Sequence, residues 1–176
     1  MHPADPGHSC QGSVVNAMLS QLAHALTARS WHLSTAESCT GGMIGAACTE
    51  LAGSSTWYDR GFVTYSNTAK TEMLAVPASL IQQFGAVSEP VVLAMARGAA
   101  QASACEVAVA VTGIAGPTGG TTEKPVGTVW IAWHLNGAST ARKYVFSGDR
   151  HQVRQATLEA ALQGLVNLLA TATAMP

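Results

Sequence analysis

Three short stretches of this chain hold side chains able to make or break a covalent bond. In the first, Glu37-Ser38-Cys39-Thr40-Gly41-Gly42, hydroxyl and thiol groups run into a glycine pair. Such a run at a strand-to-helix turn exposes backbone N–H groups, which favour an anion or a developing oxyanion. Ser38 would be a nucleophile with its oxyanion donors alongside; alternatively, Ser38 or Thr40 simply caps the following helix. The second stretch is Tyr65-Ser66-Asn67-Thr68-Ala69-Lys70. The chain has only three lysines, at 70, 124 and 143. Lys70 stands about one turn into an expected helix, as a buried base or as an ordinary surface cation. The third, Thr112-Gly113-Ile114-Ala115-Gly116-Pro117-Thr118-Gly119-Gly120, follows an apolar run. Open α/β sheets bind ligands beyond the carboxyl ends of such strands. It matches neither G-x-x-x-x-G-K-[ST] nor G-x-G-x-x-G, so it is a different ligand loop or a plain connection. Arg150 and Arg154, one helical turn apart, suit a phosphate or a solvated face.

The elements that must position these groups follow from pattern. Residues 1–12 read as a loose, flexible tail, and Ser13 as the cap of a first helix running to about Arg29. Trp31 to Glu37 reads as a strand, Thr40 to Leu51 as a helix of small residues, and Trp57 to Tyr65 as a second strand. Ser66-Asn67 caps a short helix to Leu74, and Pro77 opens another that stops at Gly85. Ser88-Glu89-Pro90 starts a longer helix with Val92, Met95, Ala96 and Ala99 inward. Val107 to Val111 is a continuous apolar run, as expected of a strand buried on both faces. Residues 113–125 form a Gly/Pro/Thr loop, and Asn136-Gly137 joins two strand-like runs as a hairpin. A last helix spans about Asp149 to Ala170. Alternating helices and strands closed by a hairpin predict a three-layer α/β/α sandwich with a mixed sheet, one domain over residues 13–172.

Composition narrows the classes. The chain has 176 residues, 48% hydrophobic and 11% charged, so it is neither disordered nor too small to hold a core. A net charge of −1 offers no basic excess for a nucleic acid. No apolar run reaches the roughly 18 residues of a membrane span. The four cysteines have no C-x-x-C spacing and the six histidines no H-x-x-x-H, so no metal site is expected. Reduced thiols and the lack of a secretory signal predict a cytoplasmic protein.

Several motifs, in order, resemble one family: Ala36 to Gly42, Gly53-Ser54-Ser55, Gly61 with Val63 to Asn67, Ala69-Lys70, Gly85 to Ser88, Val111 to Pro117, Lys124 to Val129, and Gly148-Asp149-Arg150. They are similar to the CinA C-terminal domain, the nicotinamide-nucleotide amidase family. Arg60 and Ala75 stand where that family is expected to have glycine. The resemblance implies deamidation of nicotinamide mononucleotide (NMN) to nicotinate mononucleotide and ammonia, no cofactor, and a homodimer. It implies Ser38 as nucleophile, assisted by Tyr65 and Lys70.

A serine is weak at its own pKa and needs a base, and none of the three stretches has a histidine. Lys70 is then expected to take the Ser38 proton, with Tyr65 relaying or orienting it. Backbone donors of Thr40, Gly41 and Gly42 would hold the oxyanion. Ser66, Asn67, Thr112, Gly113, Gly116 and Arg150 form the expected substrate-binding set. Two alternatives stay open: Cys39 as nucleophile, and a non-catalytic nucleotide-binding or competence-associated regulatory module.

Overall fold

The computed structural model describes residues 7–172. Five strands form one mixed sheet in the order β2-β1-β3-β4-β5. Strands β1 (Leu33–Glu37), β2 (Tyr58–Val63) and β3 (Val107–Gly113) run parallel. β4 (Thr128–Leu135) returns antiparallel to β3, and β5 (Ala138–Val145) follows through the Asn136-Gly137 turn. Both turn residues have positive φ, the geometry that matches strand twist in a two-residue hairpin.

Helices cover both faces. On one side α1 (Gly7–Thr27), α2 (Met43–Glu50) and α6 (Arg150–Thr171) pack Leu22, Ile44, Leu162 and Leu165 against Val107, Val109 and Ile131. On the other, α3 (Asn67–Leu74), α4 (Ala78–Phe84) and α5 (Glu89–Ser103) pack Leu74, Ile81, Met95 and Ala99 against Ala36, Ala108 and Ala110. β1 and β3 are covered on both sides, which explains the continuous apolar run in β3. The expected sandwich and mixed sheet are thus present.

The chain start differs from expectation. α1 begins at Gly7, so residues 7–12 are helical and Ser13 lies inside the helix rather than capping it. No proline follows position 6 until position 77, so nothing in the backbone stops the helix from extending upstream of its amphipathic part. Residues 1–6 of the expected tail lie outside the described residues. Ser88 holds the cap position of α5, but its hydroxyl donates to the Gly85 carbonyl (2.8 Å) instead of capping an amide.

The connections set up the site. After β1 the chain leaves to one face through α2; after the neighbouring β2 it leaves to the other through α3. Divergent connections from adjacent parallel strands open a crevice at their carboxyl ends.

Candidate active site

The crevice contains Ser38 and Lys70. Ser38 is the residue after β1, and its N–H continues the ladder to the Val111 carbonyl (3.1 Å). Lys70 lies in the first turn of α3, which Ser66 caps by accepting from the Ala69 N–H (3.0 Å). The Lys70 side chain is 1% exposed. Its Nζ donates to Ser38 Oγ (3.1 Å), to the Thr64 carbonyl (2.9 Å) and to the Tyr65 carbonyl (3.5 Å). Burial, the larger influence, pushes this ammonium below its ordinary value, opposed by Cys39.

A cavity of about 210 Å³ opens onto the pair, lined by Ser38, Cys39, Tyr65, Asn67, Lys70, Ala86, Val87, Thr112, Gly113, Ala115 and Arg150. Larger hollows exist, such as one of about 590 Å³ between β5 and α6, but it has neither nucleophile nor base. Six further residues of the expected set therefore meet around Ser38: Tyr65, Asn67, Lys70, Thr112, Gly113 and Arg150. Ser66 and Gly116 stand behind them. Ser66 is the cap of α3, and the Gly116 carbonyl accepts from Arg150 Nη1 (2.8 Å). The Thr112 hydroxyl is committed too, donating to the Ala86 carbonyl (3.0 Å).

Tyr65 is positioned differently from a relay. Its phenol is at the mouth, 60% exposed, and accepts from Arg150 Nη2 (2.9 Å). No hydrogen bond joins it to Ser38 or Lys70; its link to Lys70 is its own backbone carbonyl. Arg150 therefore ties the mouth tyrosine to the Gly-rich loop. Arg154 does not stand beside it as a second anion ligand: its Nη2 donates to the Thr40 carbonyl (3.0 Å).

The turn after Ser38 contains the residue that pattern reading missed. Gly41 and Gly42 have φ of +61° and +102°, and Gly42 caps α2 without a side chain. The buried Glu37 carboxylate supplies the cap. It accepts from the Thr40 hydroxyl (2.6 Å) and from the amides of Gly42 (3.1 Å), Ile44 (3.0 Å) and Gly45 (2.8 Å). The Gly41 amide donates to the Ser38 carbonyl (3.0 Å). The Gly41 and Gly42 amides, expected to face an oxyanion, are thus committed within the turn, and neither Ser38 nor Thr40 is the helix cap. The signal was present: an acid just before a glycine pair and a helix start suits the positive end of the helix dipole.

A hydrogen bond separates Ser38 from its neighbour: Lys70 Nζ donates to Ser38 Oγ (3.1 Å), and no hydrogen bond joins it to Cys39. Cys39 is 6% exposed, and desolvation pushes its thiol up to about 11, so it stays protonated at neutral pH. Cys48, in the hydrophobic core, is pushed up to about 12 for the same reason. Arg60 pairs with Asp59 on the outer edge strand β2 and does not line the cavity. No group of three or more metal-binding side chains occurs among the described residues, nor a helix long and apolar enough to cross a membrane.

Fold and site together define a three-layer α/β/α protein with a serine and a buried lysine paired at the carboxyl edge of its sheet. The chain matches the CinA C-terminal domain over residues 15–169 and belongs to that family. Among relatives, it is 53% identical over 150 residues to the nicotinamide-nucleotide amidohydrolase PncC of Enterobacter agglomerans, covering 85% of this chain and 90% of that one. It is 52% identical over 146 residues to the protein of the same name from Escherichia coli K12, covering 82% and 88%. The crystal structure of competence damage-inducible protein A from Klebsiella pneumoniae superposes with a TM-score of 0.87 at 39% identity, over 90% of this chain and 99% of that one. The competence/damage inducible protein CihA of Agrobacterium tumefaciens gives 0.83 at 43% identity, over 96% and 98%.

Proposed function

We propose that this protein is an amidohydrolase that deamidates NMN, with Ser38 as nucleophile and Lys70 as its base. The observation that carries the reading is the buried Lys70 Nζ held 3.1 Å from Ser38 Oγ at the cavity floor. A neutral amine has two N–H bonds and one lone pair. The Thr64 and Tyr65 carbonyls can only accept, so they take the two N–H bonds and leave the lone pair for the Ser38 O–H.

Ser38 Oγ then attacks the carboxamide carbon while its proton passes to Lys70. The tetrahedral intermediate collapses, the C–N bond breaks, and Lys70 gives the proton to the departing nitrogen, releasing ammonia. A water, deprotonated by Lys70, attacks the acyl ester. The proton returns to Ser38 Oγ and nicotinate mononucleotide leaves. Tyr65 lines the mouth in this scheme and acts on Lys70 only through its carbonyl. Arg150, the one arginine among the residues lining the cavity, is the group for the substrate phosphate. The protein is read as cytoplasmic and homodimeric, with no cofactor in the reaction.

Ammonia release from NMN by the purified protein tests this directly. Ser38→Ala is expected to fold and to lose at least about 10³-fold in rate. A variant retaining more than a tenth of wild-type turnover removes Ser38 as nucleophile. Tight binding of NMN without any ammonia would favour a regulatory module instead.

A further inference from the structure

The tetrahedral intermediate needs hydrogen-bond donors, and the turn after Ser38 has few left. The amides of Gly41 and Met43 donate to the Ser38 and Thr40 carbonyls. Those of Gly42, Ile44 and Gly45 go to the Glu37 carboxylate. Among the described residues the amides of Cys39 and Thr40 donate to no protein oxygen, and the N–H after a nucleophile is a common oxyanion donor. Thr40 is held at both ends: its hydroxyl by Glu37 and its carbonyl by Arg154. Glu37 is in turn fixed by the sheet, with its carbonyl accepting from the Thr64 N–H (2.8 Å), and it is 1% exposed. Gly45 leaves room for this arrangement, because a Cβ there would lie 2.5 Å from the Tyr58 hydroxyl.

We propose that Glu37 is a positioning residue of the deamidation, a role that rests on the amidase reading above. Its carboxylate gathers four donors from residues 40–45 and so sets the tight turn that presents the amide of Cys39, which lines the cavity beside Ser38, to the oxyanion. Glu37 touches no substrate. It acts through the turn, where the first amides of α2 hold its carboxylate.

Glu37→Gln tests this with little change of shape. A carboxamide has one oxygen, and its NH₂ must face a donor, so at least one of the four bonds is lost. The expected result is a folded protein with kcat lowered by about 10²-fold, as for a displaced oxyanion donor. KM and the pH midpoint of kcat/KM should stay as in wild type, since substrate contacts and Lys70 are untouched. Thr40→Val, which removes a single bond to Glu37, should show a smaller loss confined to kcat, and decides the matter if Glu37→Gln does not fold. Labelling of Ser38 by a fluorophosphonate, mapped by mass spectrometry, should slow in the same order. A lowered melting temperature with kcat and labelling unchanged would make Glu37 a helix cap only and overturn the proposal. A loss seen in KM instead of kcat would overturn it as well. If wild type labels at Ser38 yet releases no ammonia from NMN, the amidase reading falls and the labelling rates alone decide for or against Glu37. If wild type does neither, both fall.

Discussion

At the scale of single residues, the proposed role of Lys70 as base requires it neutral, and its surroundings favour that form. Burial destabilises the ammonium, and its two carbonyl partners suit an amine as well as a cation. Only neutral Lys70 can take the Ser38 proton, so activity rises as the group loses its proton. The lowered pKa brings that rise below the ordinary lysine value of about 10.4. The expected pH profile of kcat/KM climbs through one ionisation in that range, and a flat profile would contradict it. Lys70→Arg should fail as badly as Lys70→Met, because arginine keeps its proton throughout the working range. Near-wild-type turnover of Lys70→Arg would leave Lys70 a purely electrostatic role. The choice between Ser38 and Cys39 was open in the sequence, since thiolates are the better nucleophiles. Geometry favours Ser38, because Lys70 Nζ bonds Ser38 Oγ while the buried Cys39 thiol, pushed up to about 11, has no such partner.

At the scale of elements, α3 delivers Lys70 and ends unusually. Ala75 closes it in the left-handed region (φ +53°), with its N–H on the Thr71 carbonyl (3.0 Å) and the Val76 N–H on the Lys70 carbonyl (3.2 Å). That pattern is commonly capped by glycine, the residue expected here on family grounds. The left-handed conformation costs an L-residue roughly 1–2 kcal/mol, part of which glycine would give back in greater unfolded-state freedom. Ala75→Gly should therefore raise stability by up to about 1 kcal/mol, read as a higher urea midpoint, while leaving kcat unchanged. A destabilised variant would show that the Ala75 methyl packs usefully. Gly98 explains how α3 is seated: a Cβ there would lie 2.0 Å from the Leu74 carbonyl oxygen, so α5 and the end of α3 meet backbone to backbone. Helix starts were legible where a side chain caps its own helix, as at Ser66 and at Asp149, whose capping box with Gln152 opens α6. The start of α2 was not, because its cap comes from the preceding strand.

At the scale of the whole molecule, the cavity draws on segments around residues 38, 70, 112 and 150, from β1, α3, β3 and α6. No one layer contains it: Ser38 and Gly113 stand at the carboxyl edge of the sheet, Lys70 comes from a helix on one face and Arg150 from a helix on the other. Such a site should not survive in a partly folded chain. Ammonia release and far-UV circular dichroism are expected to disappear in a single, coincident urea transition, as for a cooperative domain. Activity lost well before the helical signal would show that the loops of the mouth open independently of the core.

The sequence by itself determined the class of fold and the short lists from which a site could be drawn. Hydrophobic periodicity reports which face of an element is buried, and a hydroxyl run before glycines reports a turn, because both are local properties. It also placed Ser38, Lys70 and Arg150 on the segments that converge. Only the tertiary structure decided what each group touches there. The distance from Ser38 Oγ to Lys70 Nζ spans 32 positions of chain, and the bond from Arg150 to Tyr65 spans 85. Arg154 turned from a candidate anion ligand into a brace for Thr40, and the Gly41 and Gly42 amides into members of the turn. These outcomes depend on which acceptor lies within about 3 Å after packing, a quantity that hydrogen-bond directionality makes decisive and that residue order does not contain.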